Sequence, residues 1–202
     1  GAVFPALTYS FYPVFANLHG VAYETVPLRE DFTLDVAGMQ GKGKLTVFPN
    51  PNAPTGIALP LDQVEAIVAA NPDHVVVVDE AYVDFGADSA VPLLQRYENL
   101  LVVMTYSKSR SMAGARLGFA LGSRTLLQDL EKLKYSTNPY NVNRLTLKLG
   151  QAAVDSDGYF REKAREIMAT REKTAQALRA LGFTLPDSQA NFLFVTHPKV
   201  AG

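Results

Sequence analysis

The chain has 202 residues, 48% of them apolar, with 19 basic and 20 acidic residues and a formal net charge of −1. This is enough for one sizeable core, and the dispersed, balanced charge gives neither a basic face for nucleic acid nor a polybasic segment for an anionic membrane. The absence of cysteine excludes disulfides, thiolate metal sites and a cysteine nucleophile, and fits a cytoplasmic address. His19, His74 and His197 are too far apart in sequence for a metal-binding spacing, so no metal is expected. The longest apolar runs, such as Val75 to Val78 and Leu100 to Met104, are too short to span a bilayer, and no charged-then-apolar leader pattern is seen.

In chain order, short β-branched runs alternate with helical patterns. Strands are expected at Val21 to Pro27, Leu45 to Phe48, His74 to Asp79, Leu100 to Thr105, Leu117 to Leu121 and Phe192 to Thr196. Helices are expected at Pro60 to Ala70, Arg124 to Lys134 with Ser123 as cap, about Val142 to Val154, and Gly158 to Leu181 closed by Gly182. The alternation predicts an α/β fold, three layers with a mostly parallel central sheet, and continuous apolar strands argue for burial on both faces.

In such a sheet, ligands bind beyond the carboxyl ends of the strands. The first of three informative strand ends carries Asn50-Pro51-Asn52-Ala53-Pro54-Thr55-Gly56, the second Asp79-Glu80-Ala81-Tyr82, and the third Thr105-Tyr106-Ser107-Lys108. Together they offer an amide, a carboxylate and an amine. The segment Ser107 to Gly118 adds hydroxyls, small residues and Arg116, a fixed positive fork suited to a phosphate. The set suits an aromatic, phosphorylated cofactor with an aldehyde for the amine and a ring nitrogen for the carboxylate. It is not a Walker loop, because the G-x-x-x-x-G-K-[ST] order is absent.

These phrases resemble the class I/II aminotransferases of the aspartate aminotransferase superfamily, and within them the histidinol-phosphate branch. The resemblance rests on N-P-N-x-P-T-G at Asn50 to Gly56, D-E-A-Y at Asp79 to Tyr82, and the Ser107-Lys108 pair with Arg116 beyond it. It also rests on T-Y-S-F-Y-P at Thr8 to Pro13, Asn138 to Val142 and Ala190 to Leu193, so it runs across almost the whole chain. It implies pyridoxal 5'-phosphate as cofactor, bound covalently by Lys108, with Asp79 on the pyridine nitrogen and Asn52 and Tyr82 on the phenolic oxygen. Thr105, Ser107 and Arg116 would hold the phosphate and Tyr9 would stack on the ring. It further implies a homodimer and transfer of an amino group from histidinol phosphate to a 2-oxo acid, 2-oxoglutarate, in histidine biosynthesis. On this reading 1–182 is the large cofactor-binding domain and 183–202 the start of a smaller one. The arginines that recognise substrate would lie beyond Gly202, and the family's N-terminal arm before Gly1.

Each residue alone has a plainer reading. Asp79 could cap the turn after its strand, Asn50-Pro51-Asn52 is ordinary turn chemistry, and Tyr9 and Tyr82 could be packing aromatics. A lone serine-lysine pair is usually a solvated loop, and an arginine at a strand edge usually a solvated charge. The joint arrival of asparagine, aspartate, lysine and arginine at successive strand exits favours the cofactor site. Arg110, Arg144 and His19 are read as surface or packing residues. Other class I/II enzymes, among them aromatic and aspartate aminotransferases and threonine-phosphate decarboxylase, share every phrase quoted. A nucleotide-binding α/β domain and an inactive remnant of the cofactor domain are the readings from other classes.

Overall fold

The computed structural model describes residues 1–200. Six strands form one sheet in the order β2-β1-β3-β4-β5-β6. They are β1 (Ala2–Pro5), β2 (Tyr23–Val26), β3 (Leu45–Pro49), β4 (Val76–Asp79), β5 (Leu100–Thr105) and β6 (Gly118–Gly122). The first five run parallel and β6 pairs antiparallel with β5. Helices are α1 (Phe11–Leu18), α2 (Val36–Met39), α3 (Leu61–Ala69), α4 (Arg124–Thr137), α5 (Arg144–Asp155) and α6 (Asp157–Ala180). Short 3₁₀ turns cover Val83–Phe85, Val91–Gln95 and Ala113–Ala115.

Alternate residues along a strand point to opposite faces, and the core follows that period. Val76 and Val78 of β4, Leu100 and Val102 of β5, Phe48 of β3 and Val3 of β1 share one face. That face packs against Met39 of α2, Val64, Ile67 and Val68 of α3, and Leu93 of the second 3₁₀ turn. The neighbouring residue in β1, Phe4, points the other way and meets the Tyr12 ring of α1 at 6.0 Å. Helices therefore cover both faces, giving the three-layer α/β/α arrangement expected from the sequence.

β1 lies one strand in from the edge; the chain crosses from it to β2 on one side and returns to place β3 on the other. A crevice opens where the strand order reverses in this way. The register Pro49↔Asp79 and Asp79↔Val103 brings the ends of β3, β4 and β5 level at that crevice.

β5 and α3 fall where the sequence puts them, α4 begins at Arg124 as expected, and Ser123 caps it by accepting a hydrogen bond from Leu126 N–H at 3.4 Å. The strand expected at Phe192 to Thr196 does not form; only an isolated bridge joins Thr184 to Thr196. Its apolar residues go instead into aromatic contacts, Phe192 against Tyr82 and Phe194 against Phe32. Residues 188–190 are bound back to the preceding part of the chain: Gln189 N–H donates to Gly56 O at 2.7 Å and Arg171 donates to Ala190 O at 2.7 Å. Gly56 has φ of +75°, and a Cβ there would stand 2.3 Å from Ser188 Oγ, so the position admits no side chain without movement.

Candidate active site

A cavity of about 330 Å³ opens at the level strand ends. Its wall takes Tyr9 from the loop after β1, Pro49 from the end of β3 and Ala53 from the loop beyond it, and Asp79, Ala81 and Tyr82 from the end of β4 and just after it. Thr105 ends β5, Ser107 and Lys108 follow it, and Ala113 and Arg116 come from the turn before β6. Seven of the eight residues singled out from sequence for a cofactor are thus in one wall.

Asp79 is the last residue of β4, half-buried, with two partners that hold its plane. Tyr12 O–H donates to Oδ2 at 2.8 Å and Ala81 N–H donates to Oδ1 at 3.1 Å. Burial pushes the carboxyl above its ordinary range, while the Tyr12 and Ala81 hydrogen bonds and the Lys108 charge pull it back. A carboxylate has about four acceptor positions, so two remain for a ligand.

Lys108 lies beyond β5 with its Nζ 5.2 Å from the centre of the Tyr82 ring. Among the described residues that nitrogen has no hydrogen bond or ion pair, which leaves the amine free to react. The Tyr82 ring is itself set at right angles to Phe192 at 5.0 Å, so the 192–194 segment indirectly fixes the surroundings of the lysine.

Arg116 sits in the left-handed region, with φ of +53°. A non-glycine residue there is strained by roughly 1–3 kcal/mol and is kept only where the surroundings over-determine it. Here the backbone is gripped by the pairing of β6 with β5, where a Cβ on Gly118 would stand 2.8 Å from Met104 O. The guanidinium donates to Ala113 O at 3.0 Å and keeps spare N–H groups. Thr105 Oγ1 accepts from Ser107 N–H at 3.1 Å, so the two hydroxyl residues form one small turn beside the arginine.

Asn52 differs from the expectation. It is 7% exposed and not part of the cavity wall. Its Nδ2 donates to Leu7 O at 3.1 Å and to Thr55 Oγ1 at 3.2 Å, and its Oδ1 accepts from Thr8 Oγ1 at 3.0 Å. One amide hydrogen and the carbonyl oxygen tie the loop after β3 to the loop after β1, and the second amide hydrogen is held within the first of these loops by Thr55. Asn50 braces the same loop, exchanging hydrogen bonds with Leu59 N–H and Leu59 O. The turn reading and the site reading of this phrase therefore divide between residues: Asn50 and Asn52 build the turn, and Pro49 and Ala53 face the cavity.

Tyr12 is the residue that sequence reasoning passed over. It lies within the Thr8 to Pro13 phrase, and its spacing of three from Tyr9 at a helix start places both rings on one side; they meet edge to face at 5.7 Å. Arg110, read as a surface or packing residue, pairs with Asp157 at 2.7 Å and lies over the Phe160 ring, outside this cavity wall. Among the described residues no group of three potential ligands could hold a metal ion.

Known proteins resemble the chain over almost its whole length. Histidinol-phosphate aminotransferase 1 of Bordetella parapertussis is 55% identical over 199 residues, covering 97% of this chain and 56% of its own length. Histidinol-phosphate aminotransferase 1 of Pseudomonas aeruginosa is 49% identical, with 98% and 56% covered. The chain therefore spans little more than half the length of these relatives. Among solved structures, histidinol-phosphate aminotransferase of Sinorhizobium meliloti in complex with pyridoxal-5'-phosphate superposes with a TM-score of 0.85. It is 25% identical, over 98% of this chain and 55% of that one. A probable N-succinyldiaminopimelate aminotransferase of Thermus thermophilus superposes with a TM-score of 0.87 at 27% identity, over 99% of this chain and 57% of that one. The family pattern itself, aminotransferase class I and II, is matched by residues 1–201, and the chain belongs to that family.

Proposed function

We propose that the chain is the cofactor-carrying part of a pyridoxal-phosphate-dependent aminotransferase that moves the amino group of histidinol phosphate to 2-oxoglutarate, giving imidazole acetol phosphate and glutamate. The observation that carries this reading is the meeting of a free Lys108 amine, the Asp79 carboxylate and the Arg116 guanidinium in one cavity beyond the ends of β3, β4 and β5. Relatives about half identical to the chain bear the histidinol-phosphate name, which supports the choice of donor.

The donor set fits the cofactor. Asp79 has acceptor positions to spare for a protonated ring nitrogen, Lys108 Nζ is unpaired, and Arg116 with the Thr105 and Ser107 hydroxyls makes a phosphate cradle. Tyr9 would stack on the ring and the Tyr82 hydroxyl would reach the phenolic oxygen. Asn52 would reach the phenolic oxygen only by releasing Leu7 or Thr55, so its first duty is to hold the loop. When bound, pyridoxal phosphate supplies a carbonyl that takes up the amino group and a cationic ring that accepts electrons from the substrate carbon.

The protein's own tasks are then distinct. Asp79 would hold the ring's charge, Arg116 and the hydroxyls would anchor its phosphate, and Tyr9 would fix its plane. Lys108 Nζ would bind the cofactor at rest and, once released by substrate, would move the proton between the donor carbon and the cofactor as general base and acid. The amino group is held between two half-reactions, so the kinetics are ping-pong.

The reading extends to a homodimer in the cytoplasm, with residues 1–182 as the large domain and 183–202 opening a smaller one. Phe11, Val14, Phe15 and Leu18 of α1 are exposed apolar side chains, which supports an association surface. No helix is long and apolar enough to cross a membrane. The test is the visible spectrum of the protein with pyridoxal phosphate beside Lys108→Ala, followed by a panel of amino donors. A band in the parent that the variant lacks is expected, with histidinol phosphate as the fastest donor. A band that survives in Lys108→Ala overturns the assignment of the lysine.

A further inference from the structure

Tyr12 O–H donates to Asp79 Oδ2 at 2.8 Å, the shorter of the two hydrogen bonds made to that carboxylate. The phenol has little freedom to do anything else. Its ring is held at 6.0 Å from Phe4 of β1 and edge-on to Tyr9 at 5.7 Å, and the start of α1 fixes its backbone. Burial and the facing carboxylate push the phenol far above its ordinary range, so it remains a protonated donor at every pH of interest. A donor held in this place stabilises the anion of its partner more than the neutral acid, because the hydrogen bond to the charged form is the stronger. Asp79 needs that support, because burial alone drives it toward the neutral acid.

We infer that Tyr12 is a positioning residue that keeps Asp79 anionic and correctly aimed, and so sets how firmly the cofactor's ring nitrogen holds its proton. The inference rests on the proposed cofactor reading. The two bonds from Tyr12 and Ala81 use about half of the carboxylate's acceptor positions, so Tyr12 can stay bonded while the ring nitrogen binds. Tyr12 then touches no reacting atom and acts only through Asp79.

Tyr12→Phe keeps the ring and its packing and removes only the hydroxyl. The protein is titrated with pyridoxal phosphate, and the pH dependence of the visible band is recorded for parent, Tyr12→Phe, Asp79→Asn and the double variant, with thermal unfolding of each apoprotein. Losing one hydrogen bond to an ionised group is expected to weaken cofactor affinity roughly tenfold. The pH midpoint of the band is expected to move up, because a ring that holds its proton less firmly leaves the lysine linkage more basic. Since Tyr12 acts through Asp79, the double variant should bind no worse than Asp79→Asn alone. A folded Tyr12→Phe whose affinity and midpoint match the parent overturns the inference and leaves the cofactor reading standing. Additive losses in the double variant overturn it as well, since they show a role independent of Asp79. A parent with no band at all overturns the cofactor reading and this inference with it.

Discussion

Replacing Asp79 by asparagine separates what the carboxylate does for the fold from what it does for the cofactor. The substitution keeps the shape and both protein contacts: the amide oxygen can accept from Ala81 N–H, and the amide nitrogen can donate to a reoriented Tyr12 hydroxyl. Only the charge is removed. Burial raises the carboxyl of Asp79 above its ordinary value of 3.8 in the folded chain. A carboxyl of raised folded pKa contributes stability below its unfolded pKa and loses it as pH rises through the folded value. The apoprotein variant should therefore unfold at neutral pH no more easily than the parent, and its stability should depend less on pH above about 4. Cofactor binding moves the other way. One hydrogen bond from a charged donor to an ionised acceptor contributes about 1.5–3 kcal/mol, so the variant should bind pyridoxal phosphate roughly 10- to 150-fold more weakly. Thermal unfolding of the apoprotein from pH 4 to 8 and an absorbance titration with cofactor measure the two quantities on the same samples. Unchanged affinity, or a folded state destabilised at neutral pH, would refute the assignment of Asp79 as the ring-nitrogen partner held at a desolvation cost.

Two further outcomes are expected of the residues around the site. Gly56→Ala puts a Cβ against Ser188 Oγ at a φ of +75° and should cost roughly 2 kcal/mol or more, read as a lower denaturant midpoint at unchanged slope; a neutral effect would mean that the 188–190 segment is not seated as described. Glu80 is 2% exposed, accepts from Ala90 N–H at 2.5 Å and Ser89 O–H at 2.7 Å, and is pushed up chiefly by burial. Its contribution to stability is accordingly lost as pH rises above 4.5 through its raised folded value, and Glu80→Gln, which keeps an acceptor for Ala90, should flatten that part of the stability–pH curve in chemical denaturation; a curve of unchanged shape would count against it.

What could be read from the sequence divides by whether a residue's role is local. β5 was legible because Leu100 to Met104 is a continuous apolar run in an interior strand, paired with β4 on one side and β6 on the other. Phe192 to Thr196 has equal β character and forms no strand, because strand formation needs an unpaired edge at the right place and the chain returns with only Thr184 to meet Thr196. α1 was hidden for the opposite reason: Phe, Tyr and Pro13 are poor helix formers, and the helix is specified by what it covers, through the Tyr12 contact with Phe4. The same division runs through the site. Asp79 and Lys108 were legible because each is a charged group delivered at or just after the end of a strand, and Arg116 because it sits just before one, and strand ends can be placed by pattern. The commitment of Asn52 to Leu7 and Thr55 was not, since it depends on how two loops far apart in sequence meet. Tyr12 lies between these cases. Its three-residue step from Tyr9 is visible in the sequence, yet its meaning depends on a carboxylate 67 positions away. The charge-bearing part of the site is thus written in order along the chain, while the neutral groups that set its charge state are written only in the fold.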